Sequence, residues 1–299
     1  MGAVDSMRPV TEANLRTVPV RLATDGWAWV SSARMCELLL SDPASAVGEF
    51  LGVVPERFEC MQVTPVQGSR SIVTSSRDGR LHVDAHPLLS PTVVIMSCYQ
   101  QAQHGGQTLL ADSWAVLSKI AITEPDLYPQ LFRAFRKFQY PGRSTYAPTF
   151  SIRAGSLACH HATFPQPADE VGIRFQAQVD SAPVIEFKLG VNELYIIDNR
   201  RMLHGRRPFK GSRHLQRLQA WLPTTFPAPP QFVSDAMRAR DAHLKVLADH
   251  PAWVQRRFGT EAVELEHLDA SFTSQQEAVL DGVLRNLVDG ARLLADEQS

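Results

Sequence analysis

The sequence predicts a mainly β protein, a β-sandwich with inserted helices and a helical C-terminal extension. Three observations predict it. Short runs rich in β-branched and aromatic residues recur between turn signals from about residue 58 to residue 222. Residues 223–230 then hold four prolines, which close the β portion because proline cannot donate to an inner ladder. Further on, Ser274-Gln275-Gln276-Glu277 has the form of a capping box, and Leu280, Val283, Leu284, Leu287, Val288, Ala291 and Leu294 follow as one apolar stripe.

Taken in order, residues 18–23 and 27–30 are β-rich and flank Thr24-Asp25-Gly26, a turn signal, so an opening hairpin is expected. Residues 31–52 are richer in Ala, Leu and Glu and read as helical, broken at Asp42-Pro43. Strands are expected at 58–64, 71–74, 80–83, 92–99 and 107–111. Asp112 is placed to cap a helix over 114–121, and residues 127–138 carry apolar positions at helical spacing. An irregular stretch with Pro141, Gly142, Pro148, Pro165 and Pro167 follows, and strands resume at 173–179, 184–188, 193–198 and 214–222. One domain over residues 1–299 is expected, with its core at about 16–222 and the helical extension at about 231–296. The C-terminal stripe is covered either by the sandwich exterior or by a second copy of the chain, which would make a homodimer.

A chain of 299 residues with 44% hydrophobic content can bury a full core. Its formal net charge of −1, with no long basic run, excludes the electrostatic footprint of a nucleic-acid or anionic-membrane binder. Cys36, Cys60, Cys98 and Cys159 are widely spaced and form no CxxC, which fits reduced thiols in a cytoplasm. No signal pattern opens the chain and no apolar run approaches the length of a spanning helix, so a cytoplasmic enzyme working on a small molecule is expected.

Two stretches carry the chemistry: Leu81-His82-Val83-Asp84-Ala85-His86, and Asp198-Asn199-Arg200-Arg201-Met202-Leu203-His204-Gly205-Arg206. His82, Asp84 and His204 are the ligand set of a three-point facial triad for non-haem Fe(II) with the opposite face left open. Residues two apart on a strand point the same way, so His82 and Asp84 can reach one metal while Val83 packs on the other side. His204 has to come from elsewhere, at the end of the strand-like run 193–198.

With His104-Gly105-Gly106-Gln107-Thr108 and Arg213-His214-Leu215-Gln216-Arg217 added in this order, the chain resembles the Fe(II)/2-oxoglutarate-dependent oxygenases of the taurine dioxygenase and clavaminate synthase-like group, over about residues 80–222. The resemblance implies a double-stranded β-helix (jelly-roll) core with flanking helices. It implies Fe(II), 2-oxoglutarate as cosubstrate and O2, with C–H oxidation of a small polar metabolite, amino-acid-like or from natural-product biosynthesis. It further implies that the distal carboxylate of 2-oxoglutarate is held by an arginine and a hydroxyl, positions matched by Arg213 and Thr108. A guanidinium fork suits a carboxylate better than a lysine would. Arg217, four residues on and thus on the same strand face, is expected nearer the iron, facing the other carboxylate or the substrate. Hydroxylation, cyclisation, desaturation and epimerisation all begin with the same hydrogen-atom abstraction and share the triad. The carboxylate of Asp84 disfavours halogenation, for which related enzymes carry a small residue there.

Other residues invite blander readings. His86 is expected to contact a ligand or the substrate rather than the metal. Arg200, Arg201, Arg206 and Arg207 are expected to be solvated or paired with carboxylates, and Asn199 to fix the turn that aims His204. His160-His161 and Asp169-Glu170 lie where a lid or substrate loop is expected, although an ordinary exposed position explains them equally well; substrate choice is expected to depend on the loops at 69–79 and 141–168. Two competing functions use the same residues: a jelly-roll metal-dependent hydrolase, and a silent binding module. The hydrolase would leave Arg213, Arg217 and Thr108 without a role.

Overall fold

A computed structural model describes residues 7–65, 76, 79–84, 90–134, 136–140, 143–153, 156–162 and 169–249. In chain order the strands are β1 (Val10–Thr11), β2 (Trp27–Ser31), β3 (Arg57–Val63), β4 (Gly79–His82), β5 (Val93–Gln100), β6 (His104–Gly105), β7 (Thr108–Asp112), β8 (Arg136–Tyr140), β9 (Arg143–Ala147), β10 (Phe150–Arg153), β11 (Ser156–Cys159), β12 (Ile185–Phe187), β13 (Glu193–Asp198), β14 (Met202–Arg206), β15 (Phe209–Lys210) and β16 (His214–Trp221). The helices are α1 (Val18–Asp25), α2 (Ala33–Ser41), α3 (Pro43–Leu51), α4 (Ser113–Thr123), α5 (Gln130–Arg133), α6 (Glu170–Asp180) and α7 (Pro230–Asp249). The described residues gather into two compact units, one drawn from 1–84, 91–116 and 181–227, the other from 85–90, 117–180 and 228–299.

In the first unit, a six-stranded sheet runs β1-β2-β13-β5-β16-β3 and a four-stranded sheet runs β12-β7-β14-β4. Pairing is antiparallel throughout except between β1 and β2. The central strands of the larger sheet are apolar on both faces because each face is covered. Val30, Ile95, Leu194, Ile196 and Leu218 pack with Leu22 of α1, Leu39 of α2 and Phe50 of α3. On the other face, Trp27, Val94, Tyr195, Ile197 and Leu215 meet Leu110, Phe187 and Met202 of the smaller sheet. Alternation at period two along β13 therefore sorts Leu194 and Ile196 to the helices, and Tyr195 and Ile197 to the space between the sheets.

The expected break at Asp42-Pro43 is present: Asp42 accepts from Ser45 N at 3.1 Å and starts α3, with proline in the first turn where its missing N–H costs nothing. Asp112 likewise caps α4, its Oδ1 accepting from Trp114 N at 2.9 Å. Three expectations are overturned. Residues 18–23 are helical rather than the first arm of a hairpin: Val18 and Leu22, one turn apart, are both buried, and Gly26 at φ 79° is the helix's left-handed cap, not a hairpin turn. Residues 173–179 belong to α6, where Val171, Phe175 and Val179 recur every four residues and are buried while Ile173 is exposed. Residues 127–138 are helical only over α5, because 136–140 pair with β9 instead. In the second unit Arg136 reaches Asp169 with Nε at 3.0 Å and Thr149 with Nη1 at 3.0 Å. The expected strand at 71–74, the capping box at 274–277 and the C-terminal stripe lie outside the described residues. Among the described residues no helix is long and apolar enough to cross a membrane.

Candidate metal centre

His82 and His204 face each other. The register of β14 against β4 places them as direct cross-strand partners, with ring centroids 4.5 Å apart. The close approach of these strands requires glycine at 205, since a Cβ there would stand 2.5 Å from the carbonyl oxygen of Gly79. His204 is therefore not at the end of the run 193–198, as expected, but on a strand of its own, β14, after a turn at 199–201.

Asp84 completes the cluster by a different route from the one the strand pattern predicts. β4 ends at His82, and Asp84 sits in a bend beyond it. Asn199 fixes that bend by imitating a neighbouring strand: its Oδ1 accepts from Asp84 N at 2.8 Å and its Nδ2 donates to Asp84 O at 3.2 Å. The role expected for Asn199, aiming His204, is thus corrected to clamping the main chain of Asp84. The result brings Asp84 Oδ1 to 3.6 Å from His82 Nε2 and 3.4 Å from His204 Nε2, and places the three ligand atoms within 4.8 Å of one another.

The protonation states suit a metal. His82 Nδ1 lies 2.8 Å from Arg80 O, so Nδ1 carries the proton and the Nε2 lone pair is left for a ligand bond. Burial, followed by the charge of His82, lowers the His204 pKa and favours the neutral ring that coordination needs. Burial alone would raise the Asp84 carboxyl, yet the two histidines and Arg217 hold it well below the usual carboxylate range. Arg217 Nη1 donates to both Asp84 oxygens at 3.0 Å, and Gln219 Nε2 donates to Oδ2 at 2.9 Å. Two imidazoles and one ionised carboxylate fit Fe(II).

A cavity opens beside the cluster, and its lining includes Thr108, Tyr195, Arg206, Arg213 and Arg217. Thr108 and Arg206 are cross-strand partners in β7 and β14. Arg213 is 5% exposed, its Nε has no hydrogen-bond partner, and its guanidinium stands 5.5 Å from the ring centroid of Phe209. Burial first and the charge of Arg206 second depress its pKa to about 10. A buried cation without a carboxylate among the described residues is costly unless an anion arrives, which fits the far end of a dicarboxylic cosubstrate. Both arginines line the cavity, but Arg217 is bonded to Asp84 while Arg213 has no carboxylate partner among the described residues.

Other expected residues have structural partners. Arg201 pairs with Asp112 at 2.6 Å and lies over Trp114, and Arg207 pairs with Glu186 at 2.9 Å. Arg206 is buried, stands 4.9 Å from the ring centroid of Phe209 and lines the cavity. In the second unit His160 Nε2 meets Ser151 Oγ at 2.8 Å, His161 packs on Phe175, and Asp169 is held by Arg136, so burial and pairing account for them. His86 lies outside the described residues. Sequence reasoning missed Tyr195, Arg206 and Gln219; the parity of Gln219 with Arg217 on β16 was the available signal.

Asp198 is 2% exposed, and burial pushes its carboxyl up to about 6 against its bond to Arg200 N and the charges of Arg200 and Arg201. A carboxyl whose folded pKa exceeds its unfolded value binds more protons in the folded state, so it loses stability as pH rises from about 4 through 6. Denaturant melts are expected to show Asp198→Asn gaining on the wild type across that window, by up to about 3 kcal/mol at pH 8, with the gain gone below pH 4. A pH-independent difference would refute this.

The family model described as "Taurine catabolism dioxygenase TauD, TfdA family" matches residues 53–219. No curated protein sequence matches the chain. Among solved structures, an asparagine oxygenase in complex with Fe(II), 2S,3S-3-hydroxyasparagine and succinate is similar at a TM-score of 0.56 and 18% identity, over 71% of this chain and 78% of that one. The PvcB protein from Pseudomonas aeruginosa follows at 0.51 and 17%, over 71% and 83%. The non-heme iron oxygenase OrfP, solved with Fe, succinate and (3S)-hydroxy-L-Arg, gives 0.50 and 13%, over 69% and 84%. At such identities these likenesses show the fold, a jelly-roll core with flanking helices.

Proposed function

The chain belongs to the TauD, TfdA dioxygenase family, and from that premise we propose that His82, Asp84 and His204 hold its iron, that Arg213 and Thr108 hold the far carboxylate of 2-oxoglutarate, and that its substrate is an amino acid or a close relative. It is an Fe(II)/2-oxoglutarate-dependent dioxygenase. When bound, iron and 2-oxoglutarate supply, with O2, the oxidation of a substrate C–H bond coupled to release of succinate and CO2.

The observation that carries the site assignment is one cavity holding both the His-Asp-His cluster and the buried, carboxylate-free guanidinium of Arg213. The chain's own residues do three things there. Arg80 O accepts from His82 Nδ1 and leaves Nε2 for the metal, and burial favours the neutral His204 ring; Arg217 holds Asp84 ionised through both its oxygens, and Gln219 adds a bond to Oδ2. Arg213 offers a fork-shaped donor to a carboxylate. Met96 and Val63 give the cavity an apolar wall, which strengthens these charge contacts by excluding water.

The amino-acid reading takes its support from the asparagine oxygenase and OrfP, both solved with hydroxylated amino acids. Incubating the iron-loaded protein with 2-oxoglutarate and a panel of free L-amino acids, then measuring succinate and product mass, checks it. The expected result is amino-acid-dependent succinate with a product heavier by one oxygen. Stimulation only by sulfonates or carboxylates lacking an amino group would contradict it. Pairing of two copies through the C-terminal helices accompanies the proposal on the strength of the apolar stripe at 280–294, and a monomeric mass in sedimentation would remove it. Cytoplasmic action accords with four cysteines that form no disulfide and would be contradicted by an exported enzyme.

A further inference from the structure

Tyr195 lines the cavity, and its placement there is specific. It sits in β13, the central partner of β2 and β5, and its parity points it between the sheets, where it is 4% exposed. Its ring packs edge-on against Phe187 of β12, with centroids 6.0 Å apart. Phe187 is the cross-strand partner of Thr108, and Thr108 is in turn the partner of Arg206. Neighbours in such a row stand about 5 Å apart, and the phenol, packed on Phe187 from the other sheet, lines the same cavity as Thr108 and Arg213.

A buried phenol ordinarily finds a partner for its hydroxyl. Among the described residues the Tyr195 hydroxyl has none, although Tyr99, a half-buried tyrosine of the same sheet, makes three hydrogen bonds through its own. Its charged surroundings include Arg213 and Arg206 as well as Asp84 and Arg217. An unpartnered O–H donor, a threonine hydroxyl and a guanidinium without a carboxylate, all lining one cavity, share one complementary ligand, a carboxylate with several lone pairs to fill.

We propose that Tyr195 is a third donor, with Arg213 and Thr108, to the far carboxylate of 2-oxoglutarate. The inference rests on the assignment of that carboxylate to Arg213 and Thr108. Phenylalanine at 195 preserves the edge-on contact with Phe187 and removes only the donor, so the loss is confined to ligands that carry the carboxylate.

The test is anaerobic titration of the Fe(II)-loaded protein with 2-oxoglutarate and, separately, with 2-oxovalerate, which keeps the 2-oxo acid but ends in a methyl group. Tyr195→Phe is expected to weaken 2-oxoglutarate binding about tenfold or more, the scale of one hydrogen bond to a charged group, and to leave 2-oxovalerate and Fe(II) binding unchanged. Equal weakening of both acids would show that Tyr195 only packs the cavity, and no weakening of either would show that its hydroxyl meets nothing; each overturns the proposal. Arg213→Met in the same assay separates this from the parent assignment: if it too treats both acids alike, the carboxylate site itself is misplaced.

Discussion

His204→Ala loses iron-dependent turnover altogether. The imidazole stands on β14 directly across from His82 and 3.4 Å from Asp84 Oδ1, so its removal leaves two donors where the metal needs three. Loss of a group that merely supports a ligand costs about 10–100-fold in metal affinity or activity, and loss of a ligand exceeds that. Alanine also vacates a buried position between β7 and β4, so folding has to be followed beside activity. Fe(II) or Co(II) titration of the folded variant should show binding weakened beyond that range. Wild-type affinity and turnover would remove His204 from the metal centre.

Arg213→Met raises the 2-oxoglutarate requirement while making the ligand-free protein more stable. Truncating one partner of a buried charge-assisted contact costs about 2–5 kcal/mol, a factor of about 30 to several thousand in affinity. The stability change has the opposite sign. A guanidinium whose pKa is depressed to about 10 by burial and by Arg206 is held charged at neutral pH at a cost to the fold, and an apolar chain of similar reach removes that cost. Thermal melts without ligand should rise and Kd for 2-oxoglutarate should climb in the same variant. If Arg217→Met alone raises the cosubstrate requirement, the two arginines have been assigned the wrong way round.

The cluster was legible because a facial triad constrains residue types, order and spacing, and His82, Asp84 and His204 do converge. How they converge was not. The strand-parity argument for His82 and Asp84 stops at the end of β4, and what places Asp84 is Asn199, more than a hundred residues away. Tyr195 and Gln219 reach the site from the larger sheet, across a gap that no local pattern reports. Local periodicity failed where segments were short: Val18 and Leu22 define α1, but a β-rich composition masks them. At α6 the spacing of Val171, Phe175 and Val179 held the answer, and composition outweighed it. Where capping chemistry was explicit, as at Asp42 and Asp112, the boundaries came out correctly.

The central claim is that one cavity holds iron on His82, Asp84 and His204 together with 2-oxoglutarate. Anaerobic addition of Fe(II) and 2-oxoglutarate to the metal-free protein, with His82→Ala alongside, tests it most directly. A visible metal-to-ligand charge-transfer band in the wild type that is absent from the variant is the predicted result. A folded wild-type protein that binds metal yet shows no band, or a variant that shows the same band, would contradict the assignment.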